Sequence, residues 1–381
     1  MRPTGSYRIK DGILYVNDFR RRFDYWSSQG WRSSIRLLFL ADGIEEIPAG
    51  SFEYFENLEE IRFPSGLRCI GDSAFSECKR LAEIDLPEGL LSLGNSAFQG
   101  AEGARRVWIP QSLASIGDNA LYFGDDSRLL SIDVNKDNPY FTSSDGVLYT
   151  ADMKRLIKYP SAKRKACFTV PGTVTAIADS AFSHSHYLHR IDLPQGLETI
   201  ESGAFSFCTH LEELTIPETV SIIPSYAFFC CSRLKKLVLP SRIEGLGYES
   251  ICNCSSLEEV ILPPGFTQLD YAAVGGDPRL KELVIPEGVT ELNNSALIDD
   301  TGLVRIVLPE SLTAIWDNAF RNCRSLRELT IPSRVEYIDD EAFTGCTGLR
   351  TIYMRSPLIK GDLWLPEELR GKVRIVWPQE D

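Results

Sequence analysis

All four histidines of the chain fall within a segment of 27 residues, at His184, His186, His189 and His210. Together with Cys208 they offer imidazole and thiolate groups, which are preferred ligands of zinc and related metal ions. A metal-dependent hydrolase centred on His184, His186 and His210 is therefore one hypothesis. The paired C-x-x-C or H-x-x-x-H spacings of structural zinc sites are missing, so the simpler interpretation is a group of exposed turn residues. We predict no metal and no other cofactor.

Cysteines form the second group of reactive residues. The pair Cys252-x-Cys254 and the pair Cys230-Cys231 could together make a thiolate site. A regular series described below already explains Cys231 and Cys254, which leaves only Cys230 and Cys252. The chain has no P-loop, no G-x-G-x-x-G after a strand, no G-x-S-x-G and no H-E-x-x-H. We predict that it is not an enzyme.

A repeat of 23 residues determines where all these side chains stand. Prolines occur at this interval at positions 64, 87 and 110, and again at 171, 194, 217, 240, 263, 286, 309 and 332. A period of this length that is held without drift indicates a solenoid, in which each repeat stacks on the next. Solenoids expose long ordered surfaces and usually bind other molecules.

Each repeat keeps seven apolar slots when its proline is counted as slot 0. In the repeat at Pro194 these slots hold Leu197, Ile200, Ala204, Phe205, Leu211, Leu214 and Ile216. Because side chains alternate along a strand, slots 20 and 22 should face the interior and slots 19 and 21 the opposite face. Successive strands can then pair in parallel at a spacing of about 4.8 Å. Slots 3 to 11 form the return segment, whose Ala-Phe pair fills the interior from the other side.

Slot 14 holds six of the ten cysteines: Cys78, Cys208, Cys231, Cys254, Cys323 and Cys346. Other repeats place alanine, glycine, serine or aspartate there. Cysteine in this slot therefore acts as a small, easily buried side chain, and we predict free thiols rather than disulfides.

These slots resemble the BspA-like, or Treponema-type, leucine-rich repeat: L-x-x-I-x-L-P-x-x-L-x-x-I-x-x-x-A-F-x-x-C. The resemblance covers residues 35 to 354 and implies a leucine-rich-repeat solenoid, a β-rich, curved right-handed coil. It also implies binding of protein partners, often as an adhesin on the cell surface that binds host or matrix proteins. The Asp145-Gly146 segment resembles the hairpin-bearing long repeat of such proteins, and Asp11-Gly12 is a second copy of it.

The period begins at Ala41 and defines twelve repeats with one β-hairpin insertion. We predict the following division: an N-terminal hairpin cap at 1–34, repeats 1–4 at 35–134, the insertion or long repeat at 135–170, repeats 5–12 at 171–354 and a C-terminal cap at 355–381. Caps that cover the edge strands favour a monomer.

The net charge and hydropathy of the chain limit the classes of partner that it is expected to bind. A net charge of −13 argues against nucleic acid and against anionic membranes. No stretch approaches the roughly 20 apolar residues that span a bilayer, so we expect no membrane insertion. Residues 1–30 lack the apolar core of a signal peptide. The location stays open: cytoplasmic if Met1 is the native start, otherwise secreted or on the cell surface with the signal removed.

The strand face is the best candidate for binding. Slot 21 carries an apolar series, and slot 19 beside it carries mostly charged residues. The residues we expect to contact a protein partner are Val238, Ile261, Val284, Val307, Arg305 and Tyr353. The alternative is that valine and isoleucine stand here only because they favour strands.

A second group on the same face comprises Arg62, Arg106, Trp108 and Arg190. Trp108 at slot 21 is expected to be exposed, and it either binds the partner or packs on the hairpin. The sequence thus predicts a non-catalytic protein-binding scaffold that uses its strand face.

Overall fold

The computed structural model describes residues 7–19, 31–359 and 364–377. It divides into two compact units, one of Met1–Arg164 with Asp179–Ser185 and the other of Lys165–Ala178 with His186–Asp381. Parts of both predicted caps, at 1–6, 20–30, 360–363 and 378–381, lie outside the described residues.

Among its described residues, the first unit has a short 3-10 helix at Arg32–Ser34 and otherwise consists of strands, turns and irregular segments. Its strands are β1 (Tyr7–Lys10), β2 (Ile13–Val16), β3 (Leu37–Leu40), β4 (Glu46–Ile47), β5 (Glu60–Arg62), β6 (Cys69–Ile70), β7 (Glu83–Asp85), β8 (Ser92–Leu93), β9 (Arg106–Ile109), β10 (Ser115–Ile116), β11 (Ser131–Val134), β12 (Phe141–Ser144), β13 (Val147–Thr150) and β14 (Arg155–Lys158).

The second unit continues with the same kind of short strand. Its strands are β15 (Cys167–Thr169), β16 (Ala176–Ile177), β17 (Arg190–Asp192), β18 (Thr199–Ile200), β19 (Glu213–Thr215), β20 (Ile222–Ile223), β21 (Lys236–Val238), β22 (Gly245–Leu246), β23 (Ile251–Cys252), β24 (Glu259–Val260), β25 (Gln268–Leu269), β26 (Val274–Gly275), β27 (Glu282–Val284), β28 (Glu291–Leu292), β29 (Arg305–Val307), β30 (Ala314–Ile315), β31 (Glu328–Ile331), β32 (Tyr337–Ile338), β33 (Thr351–Met354) and β34 (Arg374–Val376).

The chain is a β-solenoid, as the repeat predicts. Each repeat contributes a strand at slots 19 to 22, and most contribute a second short strand at slots 5 and 6 of the return segment. Where neighbouring repeats pair, the register is parallel and shifts by one repeat, as in Glu213↔Lys236. Twelve strands of the strand face come from the predicted repeats. Three more, β3, β15 and β34, extend the described series, because each pairs in parallel with a neighbouring strand at an offset of 23 residues although no proline begins its segment. β2 in turn pairs in parallel with β3.

β13 pairs antiparallel with β14, and two further antiparallel pairs are joined by Asp-Gly turns. Asp11 and Gly12 join β1 to β2, and Asp145 and Gly146 join β12 to β13. All four residues have positive φ, between 51° and 76°. A two-residue turn with positive φ at both positions matches the twist of a hairpin, which explains the Asp-Gly sequence.

Stacked phenylalanines fill the interior between the two strand layers. In the first unit, the Phe75 ring centroid lies 5.3 Å from that of Phe52 and 5.2 Å from that of Phe98. In the second unit, Phe205 stacks on Phe228 at 5.4 Å. All five side chains are fully buried. The Ala-Phe pair therefore lines a core that successive repeats share.

The slot-14 thiols are buried hydrogen-bond donors. In the repeats at Cys78, Cys231, Cys254, Cys323 and Cys346, Sγ donates to the slot-11 carbonyl of the preceding repeat at 2.9 to 3.3 Å. Burial raises the pKa of each of these thiols. None of the ten cysteines, all of which lie in the described ranges, forms a disulfide.

Thiol accessibility gives a direct test of this packing. In native protein without reductant, iodoacetamide should modify the exposed Cys167 first and leave Cys231 and Cys254 unmodified, because buried thiols stay protonated. In denaturant without reductant, mass spectrometry should count ten modified cysteines. A smaller count would mean that disulfides had formed.

Candidate functional site

The strand face of the second unit presents a row of exposed apolar side chains at slot 21. We call this row the apolar stripe; it consists of Val238 (38% exposed), Ile261 (64%), Val284 (57%), Val307 (38%) and Tyr353 (39%). Their neighbours at slot 20, such as Leu283 and Ile306, are buried. Alternation along each strand therefore produces one buried row and one exposed row.

Backbone pairing holds the stripe in three blocks. Val238 lies on β21, which pairs with β24, the strand just before Ile261. Val284 pairs with Val307 through β27 and β29, and Thr330 pairs with Tyr353 through β31 and β33. Among the described strands, the ladder is interrupted between these blocks. The predicted continuous row is thus present in the side chains but not in the hydrogen bonds.

A depression of about 550 Å³ lies at the end of the stripe, over β29, β31 and β33. We call it the arginine depression. Its floor and rim include Val307, Thr330, Tyr353, Arg305, Arg327, Arg355, Glu310 and Glu328. Three residues selected from the sequence, Arg305, Val307 and Tyr353, therefore come together here.

Glu310 is held in place by the next repeat. Its Oε2 accepts hydrogen bonds from the Ser333 amide at 3.2 Å and the Ser333 hydroxyl at 2.9 Å. These bonds lower the pKa of Glu310. Glu218 accepts the same pair of bonds from Ser241, so this arrangement is a structural feature of the repeat.

Sequence reasoning missed Arg327 and Arg355. Arg355 stands 23 residues after Pro332, at the position where the series would place its next proline. Its amide donates to the Ile331 carbonyl at 3.0 Å, a bond that proline could not make. The break in the proline series was a signal for this residue, whereas nothing distinguished Arg327 from other exposed arginines.

Trp108 belongs to the first unit and is half-buried, less exposed than its place on the strand face predicts. Its role in binding stays a prediction. Trp108 lies on β9 between Asp85 and Asp133 of the neighbouring strands. The Arg106 guanidinium lies 6.0 Å from the Trp108 ring centroid and binds Asp133 at 2.8 Å.

The other two residues of that group have acidic partners on their own strands. Arg62 pairs with Glu60 at 2.9 Å in the first unit, and Arg190 pairs with Asp192 at 2.7 Å in the second. The predicted group of Arg62, Arg106, Trp108 and Arg190 is therefore divided between the two units.

His184 is buried in the first unit, which contradicts its interpretation as an exposed turn residue. Its Nε2 lies 2.8 Å from the Tyr122 hydroxyl. Its Nδ1 lies 3.0 Å from Asp125 Oδ1, an ion-pair distance without good hydrogen-bond alignment. His184 is thus part of a packed polar cluster.

The other three histidines lie in the second unit. His186 Nδ1 is 2.9 Å from the Thr209 hydroxyl, and the rings of His189 and His210 are 5.5 Å apart. Burial, followed by the nearby charge of Arg233, lowers the pKa of His210. Throughout the described ranges, no group of three or more His, Cys, Asp or Glu side chains is arranged to hold a metal ion. The hydrolase hypothesis therefore has no geometric support there.

Cys230 and Cys252, the two cysteines of the hypothetical thiolate site outside slot 14, are poorly suited to act as thiolates. Cys252 is buried, and burial raises its pKa, which favours the protonated thiol. Cys230 is half-buried, and its amide donates to the Cys252 carbonyl at 2.8 Å.

The solenoid and its strand face define a leucine-rich-repeat protein. The sequence profile of the BspA type leucine rich repeat region matches in six copies, over residues 31–144, 164–280 and 276–361. The chain belongs to this family.

Solved structures agree on the fold. A leucine-rich repeat protein from Eubacterium ventriosum is 23% identical with a TM-score of 0.60, and 94% of each chain is covered. The pneumococcal vaccine antigen PcpA is 22% identical with a TM-score of 0.53, covering 91% of this chain and 80% of PcpA. Comparison with curated protein sequences gave no significant match. Within the described ranges, no helix has the length and apolar character needed to cross a membrane.

Proposed function

We propose that the chain is a non-catalytic scaffold that binds a protein partner through the strand face of its second unit. The observation that supports this most is the apolar stripe, since slot 21 carries an exposed aliphatic side chain in four consecutive repeats and an exposed tyrosine beyond Thr330. Contiguous exposed apolar surface of this kind often marks an interaction site. The repeat orders the surface before binding, so little conformational entropy is lost when the partner docks.

Introduction of negative charge into the stripe tests the proposal. The double variant Val238→Glu, Val284→Glu should lose at least one specific partner in a pull-down, because two buried carboxylates would oppose the contact. Its melting temperature should stay within a few degrees of the wild type, since both side chains are exposed.

A matched control places the same change elsewhere. Leu91 and Ile222 are exposed aliphatic residues of the return segments. The variant Leu91→Glu, Ile222→Glu should retain every partner. Equal recovery of all proteins by both variants would refute the strand face as the contact surface.

The family resemblance supports a second form of the proposal, a cell-surface adhesin for host or matrix proteins. It would use the same face and differ only in location. Labelling of intact cells with a membrane-impermeant reagent distinguishes the two, because a surface adhesin is labelled and a protein inside the cell is not.

A further inference from the structure

We propose that the arginine depression recognises an acidic residue next to an aromatic or aliphatic residue, within an extended segment of the partner protein. This inference rests on the proposed function and adds the chemistry of the partner. The nearest side chains give it a floor of Val307, Thr330 and Tyr353 and a rim of guanidinium groups.

Charge distinguishes the depression from the rest of the molecule. The chain as a whole carries a net charge of −13. The lining of the depression instead holds three arginines, Arg305, Arg327 and Arg355, against two glutamates. One of these, Glu310, is already bound to Ser333. An acidic segment would be repelled by most of the surface and attracted here, which is how charge complementarity fixes position and partner choice.

The three guanidinium groups can accept a new partner at low cost. Arg305 lies 3.9 Å from Glu282, and Arg355 lies 3.7 Å from Glu310. Both contacts are long, and the side chains are mostly exposed, so each is worth little. Arg327 makes no ion pair with the described residues. A carboxylate from the partner could bind any of the three in the bidentate geometry that arginine favours.

The floor of the depression favours an apolar residue next to the acidic residue of the partner segment. Val307 and Tyr353 stand two strands apart, a separation of about 10 Å, with Thr330 between them. A volume of about 550 Å³ accommodates one large side chain and its neighbours. Tyrosine and arginine are both typical anchors of protein contacts.

The apolar stripe continues from the depression and sets the length of the segment. From Ile261 to Tyr353 the strand face crosses four intervals, about 19 Å at the usual spacing. An extended chain of about six residues covers that distance. We therefore expect apolar residues in the segment that lies along Ile261 and Val284, and an acidic residue where it reaches the arginines.

A display selection tests this chemistry without knowledge of the natural partner. A library of random 12-residue peptides is selected against the whole protein at low salt. Enriched peptides should carry Asp or Glu beside an aromatic or aliphatic residue. The variant Arg327→Glu, Arg355→Glu should bind them at least tenfold more weakly, and added salt should weaken binding to the wild type.

Control variants separate failure of this inference from failure of the proposed function. The double variant Arg321→Glu, Arg324→Glu makes the same change of charge at two exposed arginines outside the depression, and it should bind the peptides as the wild type does. If the peptides bind Arg327→Glu, Arg355→Glu normally but do not bind Val238→Glu, Val284→Glu, the arginine depression does not recognise them. Binding through the strand face would still hold. Peptides insensitive to both double variants, or no enrichment at all, would count against both. Heparin oligosaccharides that compete for the same arginines and bind more tightly than any peptide would overturn the choice of a protein segment.

Discussion

Replacing Asp277 and Asp300 together by asparagine should stabilise the protein at pH 8 by about 3 kcal/mol or more, with little effect near pH 4. Both aspartates occupy slot 14, where most repeats of the second unit have cysteine. Both are fully buried. Burial raises the pKa of Asp277 well above its usual range and that of Asp300 to about 8.

Geometry explains why asparagine fits. Oδ1 of Asp277 accepts the Cys254 amide at 2.7 Å, and Oδ1 of Asp300 accepts the Asp277 amide at 3.0 Å. The second oxygen of each carboxylate is buried without a hydrogen-bond partner among the described residues. Asparagine keeps the Oδ1 acceptor and has an N–H donor in place of the second oxygen. The slot-14 thiols of other repeats are also hydrogen-bond donors. The substitution therefore removes two buried ionisable groups without opening a cavity.

The sign of the pH dependence follows from the raised pKa values. Between about pH 4 and pH 8 the folded protein binds more protons at this pair than the unfolded chain does, so stability falls as pH rises. Above the folded pKa the loss is complete. Glu218 and Glu368, whose pKa values are lowered, act in the opposite direction below pH 4.5 and cancel between variant and wild type.

Urea denaturation from pH 4 to pH 9 measures this difference. The stabilisation of the variant over the wild type should grow as the pH rises from about 4 to about 8. Asp340→Asn, at an exposed position, should show no such trend. A double variant that is destabilised at every pH would show that the buried carboxylates are matched by partners, and the account of slot 14 would be wrong.

Phe75→Ala should destabilise the protein by about 3 to 5 kcal/mol, the usual cost of emptying a large buried site. Phe75 is fully buried between Phe52 and Phe98, and its ring also meets Phe63 edge-on at 5.9 Å. Removing one ring therefore leaves a cavity between two neighbours that belong to other repeats.

Two comparisons give this prediction its controls. Phe75→Leu keeps most of the volume and should cost about 1.5 kcal/mol or less. Tyr54→Ala removes an exposed ring and should change stability by about 0.5 kcal/mol at most. If Phe75→Ala lost less than 1 kcal/mol, the shared core would not carry the stability of the stack.

Much of the fold could be predicted because the buried positions of a solenoid recur in the sequence at the interval of its repeat. Apolar slots such as those of Phe205 and Leu214 repeat at a fixed interval, so the buried row follows directly. Segments without the proline, such as those of β3 and β34, were missed as strand-face rungs because pairing register, and not composition, defines them.

Backbone conformation could not be predicted in the same way. Slots 9 and 13 adopt positive φ in successive repeats, including Tyr226 at 59° and Phe207 at 56°. These residue types do not favour a left-handed backbone, so the surrounding turn must impose it. His184 sits in slot 13 at 61°, and its burial depends on contacts with Tyr122 and Asp125 that sequence spacing does not reveal.

The residues of the apolar stripe were also selected from the sequence, because slot 21 follows from the alternation of side chains along a strand. Three residues that line the depression, Arg305, Val307 and Tyr353, were among the residues selected from the sequence. The depression itself was not, because it needs Arg327 from slot 18 and Arg355 from the start of the next turn. Those slots approach one another only after the chain has coiled.

The most direct test of the contact surface is methyl NMR of the protein with isoleucine and valine labels, titrated with a partner or a selected peptide. We predict that the methyl resonances of Ile261, Val284 and Val307 shift, while those of the exposed Ile222 and Ile9 stay unchanged. Shifts at Ile222 and Ile9 with none along the apolar stripe would contradict the assignment of binding to the strand face.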